Sequence, residues 1–153
     1  MKCGNGFEVR RFSEDDLFDV LRIESKAFDK TAYSPFTFLE FSEVSDFFYV
    51  LDLCGDLVGY ILGYRVFDRL CKLASLAVVP RHQSEGFGSI LLRKALEEFN
   101  KEDIEVVTLT VREGNNRAIS LYSKFGFQTW DKIENYYPDK DSALYMVKKL
   151  DKQ

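Results

Sequence analysis

Leu76-Ala77-Val78-Val79-Pro80-Arg81-His82-Gln83-Ser84-Glu85-Gly86-Phe87-Gly88-Ser89 is the stretch on which the fold turns. An apolar run ends at Pro80, a polar loop with two glycines follows, and Ile90, Leu91, Ala95, Leu96 and Phe99 then recur at helical spacing. The spacing predicts strand, loop and helix in that order. Glycine lets the backbone turn tightly and approach a ligand without a Cβ in the way. Consecutive amides at the helix entry, with about half a positive charge from the helix dipole, suit an anion such as a pyrophosphate. The loop is not a dinucleotide fingerprint, because GxGxxG is absent, and no GK[ST] follows to make it a P-loop. By itself Gln83-x-x-Gly86-x-Gly88 reads equally well as a plain helix entry.

Upstream, Phe7 to Phe12 alternates as a first strand, and Ser13-Glu14-Asp15-Asp16 supplies a capping-box-like helix start. Leu17, Val20, Leu21, Ile23, Ala27 and Phe28 carry that helix, and Ser34-Pro35 opens a short second one through Phe41. Phe47 to Leu53 and Leu57 to Val66 read as strands joined at Cys54-Gly55-Asp56, and Leu70 to Val79 as the strand leading into the loop. Downstream, Ile104 to Val111 is a strand of β-branched residues, and Asn115 to Phe125 a helix stopped by Gly126. Phe127 to Tyr136 and Ala143 to Leu150 close the chain as strands around a polar loop. The order is βααβββαβαββ, an α/β fold around one mixed, mostly antiparallel sheet flanked by helices.

The 153 residues fit one domain, with no repeat or low-complexity linker to divide them. With 46% apolar and 30% charged residues the composition is ordinary. The 14 Phe and 8 Tyr are unusual and point to an aromatic core with room for an aromatic-lined groove. A net charge of −4 without a basic run argues against nucleic-acid binding. Cys3, Cys54 and Cys71 show no CxxC spacing, and with the single His82 they make no zinc site. Free thiols, an N-terminus without an apolar signal region and no apolar run near the ~18 residues of a span together predict a soluble, cytoplasmic protein without a membrane partner.

A second constellation narrows the ligand. Asn115-x-x-Ala118-Ile119-x-Leu121-Tyr122-x-Lys124-Phe125-Gly126-Phe127 follows the later strand. With Gln83-x-x-Gly86-x-Gly88 before it, the chain resembles the GNAT superfamily of acetyl-CoA-dependent N-acetyltransferases over nearly its whole length. Ile23-Glu24-x-x-Ala27-Phe28, Thr110-Val111-Arg112, Asn135-Tyr136-Tyr137-Pro138 and Ser142-Ala143-Leu144-Tyr145-Met146 are similar to the RimI-type branch, the ribosomal-protein alanine and archaeal protein N-terminal acetyltransferases.

The resemblance implies acetyl-CoA as donor, its pyrophosphate on the amides of Gln83, Ser84, Glu85, Gly86, Phe87, Gly88 and Ser89. It implies that Leu76, Ala77 and Val78 offer unpaired backbone groups to the pantetheine arm, and that Asn115 hydrogen-bonds the same arm unless it is only a helix cap. Tyr122 would protonate the departing coenzyme A thiolate; the plainer reading is a core tyrosine. Tyr33, Tyr136 and Tyr137 would line a groove for a peptide N-terminus. Direct attack in a ternary complex is implied, although Cys71 on the central strand stays open as a covalent group.

The resemblance breaks at Thr110. RimI-type bacterial enzymes carry a glutamate there as general base, and threonine takes no proton at neutral pH. Glu113, Glu24 and a water relayed by backbone carbonyls are the substitutes, though both acids read more simply as surface residues. Glu85 is a second departure, expected to weaken phosphate attraction unless it points away. Three functions stay open: acetylation of a protein or peptide N-terminus, which leads; acetylation of a small amine, polyamine or amino acid; and a non-catalytic acyl-CoA-binding module. Monomer and homodimer are both compatible with the sequence.

Overall fold

The computed structural model describes residues 6–28 and 33–151. The elements run β1 (Glu8–Arg11), α1 (Leu17–Phe28), α2 (Pro35–Val44), β2 (Phe47–Leu53), β3 (Asp56–Phe67), β4 (Leu70–Val78), α3 (Phe87–Lys101), β5 (Val106–Arg112), α4 (Asn116–Lys124), β6 (Gln128–Ile133) and β7 (Ala143–Lys149). This is the expected order. The helix starts follow from local chemistry. The Asp16 carboxylate accepts the Ser13 N–H at 2.9 Å, and Ser34 Oγ accepts the Thr37 N–H at 3.2 Å. A 3-10 turn, Glu14–Asp16, precedes α1, and α2 runs three residues past the expected Phe41 to Val44.

Among the described residues, seven strands form one sheet in the order β1-β2-β3-β4-β5-β7-β6. Only β4 and β5 run parallel, because α3 is a crossover connection; every other neighbouring pair is antiparallel. Successive residues of β3 show which helices lie where. Tyr60 Oη reaches Glu24 of α1, whereas a Cβ on Gly59 would meet Leu91 of α3 at 3.0 Å. Helix α1 therefore covers one face of the sheet and α3 the other, with the core between them. Helix α4 packs beside α3, since a Cβ on Gly88 would come within 3.3 Å of Leu121 Cδ2.

Tyr60, Phe38 and Phe99 are fully buried, and edge-to-face pairs join Phe38 to Tyr60 and Phe47 to Phe99. The aromatic excess is thus largely core. Cys71 is a free, buried thiol. Cys54 departs from the expectation of free thiols, being disulfide-bonded, and Cys3 lies outside the described residues. Among the described residues, no helix is long and apolar enough to cross a membrane.

Candidate active site

Strands β4 and β5 pair over only Leu70↔Val106, Cys71↔Val107 and Lys72↔Thr108. Beyond that point β4 stays on β3 as far as Gly59↔Val78, while β5 stays on β7 as far as Arg112↔Ala143. The two strands continue apart, and a wedge opens in the middle of the sheet. Backbone groups alternate along a strand. The Val79 N–H donates to Val58 O at 2.8 Å, so Ala77 also turns its amide and carbonyl toward β3. Leu76 and Val78 turn theirs into the wedge. Of the three expected strand positions, Ala77 therefore has no backbone group to offer an arm lying there. Val78 O already accepts Gln83 Nε2 at 3.1 Å.

A cavity of about 610 Å³ fills the wedge. Leu76, Ala77 and Val78 form its strand wall; Gln83, Ser84, Gly86, Phe87, Gly88 and Ser89 form its loop and helix wall. Asn115 and Tyr122 close it from α4, and Ala27 and Phe28 reach it from α1. Because α1 and α3 lie on opposite faces, the cavity passes through the sheet.

The loop is shaped by two left-handed residues, Ser84 (φ 70°) and Gly86 (φ 87°). The first helical bond of α3 runs from the Ile90 N–H to Gly86 O at 3.1 Å. The amides of Phe87, Gly88 and Ser89 are therefore left without an intrahelical acceptor. At Gly88 the missing Cβ allows close packing on Leu121 of α4. Glu85 corrects an expectation: it is not among the cavity-lining residues, and its carboxylate meets His82 Nδ1 at 2.8 Å. The carboxylate is held by His82, which itself lines the cavity.

Two cations missed in the sequence line the same cavity, Arg117 and Lys124. Arg117 Nη1 donates to Gln83 Oε1 at 2.6 Å, so Gln83 links the end of β4 to α4 across the cavity mouth. The signal was available, because positions 117, 121 and 124 share one face of a helix. Asn115 does cap α4, its Oδ1 accepting the Ala118 N–H at 3.2 Å. A donor bond to a ligand then falls to its Nδ2.

Tyr122 is 8% exposed. Burial, with Tyr137 nearby, raises its phenol well above the ordinary tyrosine value, so it is a neutral proton donor throughout the physiological range. Tyr33, Tyr136 and Tyr137 do not line the cavity. They gather on the α1–α2 face, where Tyr33 lies close enough to Tyr64, Tyr136 and Tyr137 to feel their charge. The Tyr33 hydroxyl donates to Ala74 O at 3.0 Å. Tyr137 stacks under Arg112, whose Cζ is 4.1 Å from the ring centroid, and its phenol interacts with Thr110. Arg112 Nη1 also pairs with Asp139 and Asp141 of the β6–β7 loop, at 3.1 and 2.6 Å.

The candidate bases sort by position. Glu113 is on the surface, held by Lys132 Nζ at 2.7 Å. Glu24 is not a surface acid: it is 2% exposed and accepts from Ser75 Oγ at 2.9 Å, from the Tyr33 N–H at 2.9 Å and from Tyr60 Oη. Cys71 is 0% exposed, and burial pushes its thiol up to about 12. A thiol so placed is inert, which removes the covalent route that its position on the central strand had left open.

A sheet that splits beside a helix N-terminus is the geometry the two motifs called for, and the sequence profile of the acetyltransferase (GNAT) family matches residues 15–127. The chain belongs to that family. The chain is similar to an N-acetyltransferase of Methanocaldococcus jannaschii, named as uncharacterised, with 37% identity over 92% of this chain and 90% of the relative. Another GNAT relative is the N-alpha-acetyltransferase of Sulfolobus acidocaldarius, 31% identical over 94% of this chain and 93% of that protein. The crystal structure of the ribosomal-protein-S18-alanine N-acetyltransferase from Escherichia coli superposes with a TM-score of 0.88 at 27% identity, covering 97% of this chain and 96% of that one. Archaeal N-terminal and ribosomal-protein alanine enzymes are the two groups of the GNAT branch that the sequence resembles.

Proposed function

We propose that this protein is an acetyl-CoA-dependent acetyltransferase acting on the N-terminal α-amine of a protein or peptide, with its single catalytic domain working in the cytoplasm. The observation that carries the reading is the cavity that crosses the sheet. It joins the free amides of α3 on one face to Tyr122 and the end of α1, with a cluster of tyrosines on the other face. The residues present fit such a donor: amides and Arg117 for a pyrophosphate, Leu76 and Val78 for an extended amide-bearing arm, and Asn115 Nδ2 for one of its carbonyls.

In this reading the acceptor amine enters from the Tyr33, Tyr136 and Tyr137 side and attacks the thioester carbonyl carbon. The C–N bond forms, the C–S bond breaks, and Tyr122 gives its proton to the departing thiolate. The proton of the amine leaves through water in the wedge, since Thr110 cannot accept it, Glu113 is held on the surface by Lys132, and the Glu24 oxygens are already taken by Ser75, Tyr60 and Tyr33. An α-amine suits this route because its pKa of about 8 leaves a useful neutral fraction near pH 7.

The test is release of coenzyme A with short peptides differing in their first residue, beside spermidine and free lysine. Turnover on a subset of the peptides is the expected result. Turnover on spermidine alone would replace the reading by a small-amine enzyme. Binding of acetyl-CoA with no release from any amine would leave a binding module.

A further inference from the structure

Glu24 is a carboxylate in a hydrocarbon core, and nothing in the reaction described above uses it. Its oxygens meet three donors from three parts of the chain: Ser75 Oγ of β4 at 2.9 Å, Tyr60 Oη of β3, and the backbone N–H of Tyr33, just before α2, at 2.9 Å. Burying a polar side chain is costly unless it is hydrogen-bonded in this way. Burial beside Glu24 raises the Tyr60 phenol well above its ordinary value, so Tyr60 stays a donor. The site is fully built, and it stands one helical turn from the cavity-lining Ala27 and one residue from Leu76, where the wedge opens.

Its third bond is the informative one. Tyr33 is held at both ends, its N–H by Glu24 and its hydroxyl by Ala74 O at 3.0 Å. Ala74 lies where the β3–β4 register slips, since Leu62 pairs with Ser75 and Gly63 with Leu73. The slip leaves Ala74 without a partner in that ladder. Tyr33 also edges against Phe41 of α2, ring centroids 5.0 Å apart. A tyrosine clamped at backbone and side chain is a preorganised wall, not a mobile one.

We propose that Glu24 is a positioning residue for the acceptor: by accepting the Tyr33 amide it fixes that ring as one wall of the acceptor groove and sets affinity for the incoming N-terminus. The proposal rests on the functional reading given above. It requires hydrogen-bond acceptance at Glu24 and no proton transfer. The amide of Gln can serve as well, because Tyr60 and Ser75 are hydroxyls and can reverse their role to accept from its NH₂.

Two variants separate these roles. Glu24→Met combined with Tyr60→Phe and Ser75→Ala removes the carboxylate together with the two core donors it would strand, and releases Tyr33. Glu24→Gln keeps an acceptor for Tyr33. The triple variant should bind acetyl-CoA like the wild type, with kcat within about threefold and KM for peptide raised about tenfold or more. Glu24→Gln should stay near wild type in both constants. Unchanged peptide KM in the triple variant would overturn the proposal, as would a Glu24→Gln enzyme whose kcat falls at constant KM, since that reports a charge or proton role. If the triple variant does not fold, Glu24→Met with Tyr60→Phe, which releases the Tyr33 amide and leaves only the Ser75 hydroxyl to reorient, must raise peptide KM; no rise overturns the proposal. Wild-type protein inactive on every peptide would instead refute the functional reading. Hydrogen exchange at the Tyr33 amide then decides the anchor by itself: protection should be lost in the triple variant and kept in Glu24→Gln, and equal protection in both refutes it.

Discussion

Replacing Gly86 by alanine tests the backbone geometry on which donor binding depends. Gly86 enters α3 at φ 87°, and a Cβ built there meets nothing within 4 Å. The substitution therefore isolates conformational cost from any clash. Holding an L-residue in the left-handed region costs about 1–2 kcal/mol. Alanine's lower unfolded-state entropy offsets about 0.4–1 kcal/mol of that. The balance is a loss of at most about 1.6 kcal/mol, and about 0.8 kcal/mol at mid-range. At roughly 2–4 °C per kcal/mol for a domain of this size, the mid-range loss should lower Tm by about 2–3 °C. If the loop escapes the strain by turning over, the amides of Phe87 to Ser89 leave their fan. Re-forming it on binding then weakens the donor Kd by about two- to tenfold, since 1.4 kcal/mol is a factor of ten. Thermal unfolding and calorimetric titration with acetyl-CoA read both quantities. Gly86→Asn should lose roughly half as much, because Asn tolerates this conformation. An alanine variant as stable as the wild type with unchanged Kd would refute the reasoning.

Tyr122→Phe should lower kcat by about 10²–10⁴ while leaving the donor Kd nearly unchanged, measured by steady-state kinetics and titration. Because burial raises the Tyr122 phenol well above its ordinary value, the proton donor is lost only at higher pH than for a free tyrosine; the pH–kcat profile should show no fall due to this group below about pH 10. Asp16 is 5% exposed and its pKa is lowered, first by Arg10, which it meets at 2.8 and 2.9 Å. A depressed acid stabilises the fold above its unfolded value and loses that contribution as pH falls. Asp16→Asn should therefore cost about 1–2 kcal/mol near pH 7, with the difference from wild type closing below about pH 4 in urea unfolding. Folded protein treated with iodoacetamide should remain unmodified at Cys71 by mass spectrometry, since its thiol is buried and pushed up to about 12.

The element order was legible because its signals are local. Ser13 and Ser34 announce helices, Gly126 ends α4 in a left-handed turn at φ 94°, and β-branched runs mark the strands. The cavity was legible in part, because its loop and the α4 face lie on contiguous sequence. What escaped depends on distant partners. Glu24 looks like a surface acid until Tyr60 and Ser75, 36 and 51 residues away, are folded onto it. Glu85 looks like a charge set against a phosphate until His82 draws it aside. Ala77 looks equivalent to its neighbours until the register with β3 turns its backbone away from the wedge. Arg117 lies outside the motif positions, so only its helical spacing with Leu121 and Lys124 marks it as a cavity residue.

The most direct measurement is tandem mass spectrometry of a peptide with a free N-terminus and one internal lysine, after incubation with the protein and acetyl-CoA. The account predicts one acetyl group, on the α-amine, with the lysine side chain unmodified. An acetyl group on the lysine with the α-amine left free would contradict it.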